Sequence, residues 1–126
     1  MQPPADAFRP PEDNLEARWA RLLSWVRHRF DREAGLEAIL FLIGVQARGL
    51  GYEPGLDKET KQGLIMEGTY CAFEAIGLYE RMGMEADGAW IWARTQTLPS
   101  LSLQDQEQLL KRAVVTYFEQ HHPDLL

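Results

Sequence analysis

The chain is poor in most of the features that announce a chemistry. A single cysteine, Cys71, in 126 residues excludes an intrachain disulfide framework and fits a reducing compartment. Basic residues are outnumbered, 13 Lys and Arg against 19 Asp and Glu, for a net charge of -6. That balance speaks against general nucleic-acid binding, which needs a basic face. No apolar run approaches the roughly 20 residues that cross a membrane. The opening residues MQPPADAFRPPED lack the basic-then-apolar layout of a secretory signal, so a cytoplasmic location is the expectation. Internal repeats and low-complexity tracts are missing. The glycines of GLGYEPG match neither the phosphate-cradling loop nor the dinucleotide fingerprint. No catalytic, metal or nucleotide motif rises above background, and no cofactor is expected.

What is present is architectural. The stretch LEAILFLIGV, residues 36–45, has one charged member, Glu37. It is too short to span a bilayer, and a helix apolar on nearly every side must be buried by protein, its own or a partner's. With 45% hydrophobic and 25% charged residues, the composition is that of an ordinary globular protein. The length fits one domain that buries about two-thirds of its unfolded surface. Four of the seven prolines (Pro3, Pro4, Pro10, Pro11) fall in residues 1–13, which reads as an extended arm before a single helical domain at 14–126.

Four helices are predicted. The first runs from about Leu15 to Phe30 with Asp13 or Asn14 as N-cap, because Leu15, Trp19, Leu22, Val26 and Phe30 fall on one stripe. The second spans roughly Gly35–Arg48. The third starts after Asp57 and reaches Ile76 or Tyr79. The fourth is capped by Ser102 with Asp105 and frays near His121, before Pro123. Interior glycines Gly44 and Gly68 each cost about 1 kcal/mol against alanine, a cost that a close crossing of the second and third helices would offset. Between Leu78 and Leu101, a turn signal at Asp87-Gly88 precedes Trp90 and Trp92 in alternation. A short hairpin or an irregular aromatic cap both fit; the irregular cap is favoured. The fold expected is therefore all-α, a four-helix bundle-like single domain with an irregular aromatic segment between the third and fourth helices.

At about 100° per residue, Arg18, Arg21, Arg29 and Arg32 of the first helix share an arc of about 80° centred on Trp25, roughly a right angle from the apolar stripe. Arginine around tryptophan combines the residue types of binding hot spots and suits a carboxylate- or phosphate-bearing partner. The alternative is a solvated face whose arginines stack on Trp25 for local support. Glu67 and Glu74 lie seven apart on the third helix with Tyr70 between them. They could gate an apolar pocket between the second and third helices and Trp90–Trp92, or form a polar strip that meets water. Glu119-Gln120-His121-His122 is half of a di-iron motif with no second copy, and reads as a polar tail. Cys71 falls on the packing face and reads as a small buried hydrophobe.

The runs AILFLIGVQ at 38–46, KETKQGLIMEGTYC at 58–71, EADG at 85–88 and QEQLLKRAVVTYFE at 106–119 resemble a family of small helical bacterial proteins with no assigned activity. The resemblance covers most of residues 14–120 and implies one compact helical unit, with an acidic turn followed by tryptophan after the third helix. It supplies no functional residues, and the proline-rich arm departs from it. The leading expectation is a non-enzymatic helical interaction module, a homodimer or a small accessory subunit of a larger assembly, using the Arg/Trp face and the arm. A small-molecule-binding protein or enzyme built on the Glu67–Tyr70–Glu74–Trp90–Trp92 pocket is the rival.

Overall fold

A computed structural model of the chain describes residues 14–49, 55–86, 90–96 and 100–125. The arm at 1–13, the Asp87-Gly88 turn and Pro99 lie outside the described residues. The elements are α1 (Leu15–Phe30), α2 (Leu36–Ala47), α3 (Lys58–Ala75), β1 (Tyr79–Met84), β2 (Trp90–Arg94), α4 (Leu103–His121) and a short 3-10 turn at Pro123–Leu125. The all-α expectation is thereby corrected. The segment after α3 is not irregular: β1 and β2 pair antiparallel as a two-stranded sheet.

The helix ends follow from local chemistry. Asp57 accepts a hydrogen bond from the Thr60 amide at 2.7 Å, and Ser102 accepts one from the Asp105 amide at 3.1 Å. Each satisfies an amide that the first turn of a helix leaves without a partner. The hydrogen bond to Thr60 also holds the Asp57 carboxyl below its ordinary range. α1 instead starts at Asn14, whose left-handed backbone makes no side-chain cap. α3 ends at Ala75 with Ile76 as its C-cap, the earlier of the two expected ends. Gly77 takes φ 80, its amide bonds the Glu74 carbonyl, and the Leu78 amide bonds the Phe73 carbonyl. This paired closure needs a left-handed residue, which glycine supplies without steric cost. Leu78, fully buried against Phe73, provides the accompanying apolar contact.

α2 and α3 form the centre. Ile39, Leu40 and Ile43 of α2 are 5% exposed or less, each contributing about 2 kcal/mol of burial. The two helices approach until backbone meets backbone. A β-carbon on Gly44 would overlap the Leu64 carbonyl, and one on Gly68 would overlap the Leu40 carbonyl. The expected close crossing is present. α4 packs on α3 and carries α1 with it, joining Leu22 and Val26 to Val114, Val115 and Phe118 in one core. Among the described residues no helix is long and apolar enough to cross a membrane.

The hairpin has a physical origin that its apolar pattern hides. Tyr79, Arg81 and Gly83 are the half-buried positions of β1, while Glu80, Met82 and Met84 are exposed. Charge and glycine thus point inward and methionine outward. The register pairs Arg81 with Trp92 and Gly83 with Ile91, leaving Met82 as a bulge residue. At the base, the Thr95 amide donates to the Leu78 carbonyl at 3.0 Å and the Thr95 hydroxyl to the Gly77 carbonyl at 2.6 Å.

Candidate functional site

The sequence-predicted residues fall into two separate places, and a third surface emerges that the sequence did not single out. On α1, Arg18 is drawn to α4. Its Nε and Nη2 donate to the two carboxylate oxygens of Glu119 at 3.0 and 2.6 Å, with both side chains less than a fifth exposed. A paired fork of this kind is among the stronger polar contacts. Trp25 is half-buried and serves the chain's own C-terminal turn. Its Nε1 donates to Asp124 at 3.0 Å, its ring meets Phe118 edge-on at 5.9 Å, and His122 lies 4.9 Å away. The hydrogen bond from Trp25 holds the Asp124 carboxyl below its usual range. Burial, reinforced by Arg29, lowers His122. Arg29 stacks over the Trp25 ring at 5.2 Å, while Arg21 and Arg32 are exposed. The five residues therefore do not act as one open face: two arginines are engaged, and Trp25 is an anchor for residues about a hundred positions away.

The second place is the seam between α3 and the hairpin, centred on Arg81. Its Nε donates to both Glu74 oxygens, at 3.0 and 3.1 Å. Its guanidinium lies over Trp90 at 4.6 Å and Trp92 at 5.3 Å. An inward arginine becomes tolerable when a carboxylate and two ring faces receive it. Glu67 is only 7% exposed. Its Oε1 accepts from the Trp90 amide at 3.3 Å and from Trp92 Nε1 at 3.4 Å. The polar strip expected to meet water is corrected at Glu67, which is buried and ties the hairpin to α3. Tyr70 stacks on Trp92 at 5.6 Å and meets Tyr79 edge-on at 5.0 Å. Glu67, Tyr70, Glu74, Trp90 and Trp92 are thus brought together, but they bond and stack on one another. Cys71, beneath them, is 1% exposed. Burial pushes its thiol up to about 12 against the opposing pull of Arg81, which makes it a poor nucleophile. Tyr117 is likewise raised to about 12 by burial. His121 stacks on Tyr117 at 4.1 Å, and among the described residues no group of three His, Cys, Asp or Glu side chains could hold a metal ion.

The third surface is a groove of about 960 Å³ along the outer side of α2, between the end of α1 and the start of α3. Val26, Phe30, Leu36, Phe41, Leu42 and Ile65 make it apolar. Phe30 is 40% exposed, and Phe41 and Leu42 are half-buried. This is where the apolar excess of α2 goes: Ile39, Ile43 and Val45 turn into the protein, and the remaining side is left to the groove. Arg32, Glu33, Glu37, Lys58 and Lys61 stand around it. The sequence signal for it was the stretch 36–45 with no wet side. What sequence could not supply was which neighbour leaves part of that side uncovered. No protein-family model, curated protein or solved structure matches the chain.

Proposed function

We propose that the protein is a non-enzymatic interaction module whose docking surface is the groove along α2, serving self-association or a place as a small accessory subunit. The observation that carries this reading is the groove itself: among the described residues, an open apolar trough, centred on Phe41 and Leu42, bordered by charged side chains. Such trough-and-rim surfaces receive an amphipathic element by burying its apolar face. The small-molecule or enzymatic alternative has less support. The residues that would gate its pocket use their polar atoms and ring faces on one another, and the Gly44–Gly68 crossing leaves no gap between α2 and α3 at that level. A cytoplasmic setting, for which the lone thiol is the support, belongs to the same proposal. So does membership of the bacterial family the chain resembles.

The test is a photo-crosslinking residue in place of Ala38, an exposed lining position of the groove, with the same probe at exposed Glu107 on α4 as control. In native cells the Ala38 probe is expected to trap a protein, whether a second copy or another chain, and Phe41→Glu to abolish the trap while circular dichroism is unchanged. Equal labelling from both positions, or no protein adduct from Ala38, would reject the reading.

A further inference from the structure

Resting on that reading, we infer that the occupant of the groove is a second copy of this chain, docked about a two-fold axis that passes near Phe41. The inference comes from how charge is laid out along the groove. The approaches of Gly44 to Leu64 and of Gly68 to Leu40 run in opposite senses along the two helices, so α2 and α3 are antiparallel. The start of α2 and the start of α3 therefore lie at opposite ends of the groove, separated by roughly 18 Å, the length of a 12-residue helix. Glu33 and Glu37 border the first end, and Lys58 and Lys61 the second. All four are exposed. Arg32 sits with the two glutamates and leaves that end net acidic.

A groove that is acidic at one end, basic at the other and apolar between is self-complementary under a two-fold rotation. Phe41 lies near the middle of α2, residues 36–47. An axis there sets Phe41 and Leu42 against their own counterparts. The same rotation sets each acidic end against the basic end of the other copy, as an isologous interface requires. An acidic peptide would satisfy only the lysine end, and a basic one only the glutamate end. A second copy satisfies both and covers the apolar side chains between them at once. The net charge of -6 opposes contact between copies everywhere except where opposite signs are arranged to meet, which adds selectivity for this register.

The experiment is sedimentation velocity and light scattering on the full chain, with two charge variants. The wild type is expected at twice its 14.5 kDa. Phe41→Glu, at the centre of the contact, is expected to weaken the dimer by at least about 30-fold, the effect of losing one central anchor. Lys58→Glu with Lys61→Glu makes both ends acidic, and Glu33→Lys with Glu37→Lys makes both ends basic. Each double variant alone is expected to be monomeric, and their equimolar mixture to restore a dimer. Because these four side chains are exposed, this arm remains decisive if Phe41→Glu does not fold. A wild type that is monomeric at every concentration overturns the inference. So does a dimer that persists in both charge variants, or a mixture that fails to associate. If the chain is monomeric while the Ala38 probe still traps a different protein, the homodimer falls and the interaction module stands.

Discussion

α3 is held by two opposite strategies on its two sides. Toward α2 it presents almost nothing: Gly68 meets the Leu40 carbonyl, and Gly44 of α2 meets that of Leu64, so adhesion comes from backbone contact and the apolar residues on either side. Toward the hairpin it presents large and polar residues: Glu67, Tyr70 and Glu74, engaged with Trp92, Trp90 and Arg81. The first side has no slack, because a close-packed backbone cannot yield to an added atom. The second is a set of adjustable contacts, partly reached by water, with Arg81 and Glu74 side chains about one-third exposed. One side should fail all at once and the other piece by piece.

The sharpest way to break that contrast is at the glycine. Gly68→Val places branched carbon against a carbonyl that cannot move aside, and is expected to cost about 3 kcal/mol or more, at or beyond the upper end for overpacking. Urea melts would show it, and an unchanged midpoint would mean the helices can separate cheaply. Next comes alkaline pH, which asks whether the dry surroundings or the arginine governs Cys71. The folded thiol sits at about 12 against 9.0 for an ordinary thiol, so the folded state keeps a proton that the unfolded state gives up. The resulting stability is whole below pH 9 and is lost as pH rises toward 12, at about 1 kcal/mol per pH unit. Tyr117 adds to the fall above pH 10, since it too is raised to about 12. Thermal melts across that range should show Cys71→Ala losing stability less steeply than the wild type; identical slopes would count against burial as the cause. The smallest global effect is expected at the hairpin. Arg81→Ala should cost about 1 kcal/mol, since solvent screens a pair this exposed. Hydrogen exchange should nonetheless quicken in β1 and β2 while α2 stays protected. Equal quickening in both places would show the two sides to be one cooperative unit.

The same contrast explains what could be read from the residues beforehand. The glycine crossing was legible because Gly44 and Gly68 stand among apolar neighbours, whereas Gly63, near the polar start of α3, has open space around it and makes no such approach. The limits of α1 and α4 were legible because the stripe at Leu15, Trp19, Leu22, Val26 and Phe30, and the Ser102–Asp105 cap, are local. The hairpin was only half legible, as one of two fits beside an irregular cap: its inward residues include Arg81 and Gly83 and its outward ones Met82 and Met84, the reverse of the alternation that marks a half-buried strand. What makes Arg81 acceptable inside is a carboxylate on the preceding helix and two rings across the sheet, none of which spacing alone reveals. Trp25 shows the same limit. Its position among arginines was visible, but its partner Asp124 lies 99 residues away. The groove was half legible: the apolar surplus of α2 is in the sequence, whereas the neighbours that leave it open are a matter of topology.

One consequence of the missing β-carbons reaches past stability. Ile65 and Lys61 form one bank of the trough and ride on α3, while Phe41 and Leu42 ride on α2. The spacing between the banks is therefore gauged by two hydrogen atoms, those that stand where Gly44 and Gly68 would otherwise carry a methyl. A single extra carbon at either place would widen the trough along with the crossing, so drift at these two positions is drift in what the surface can hold.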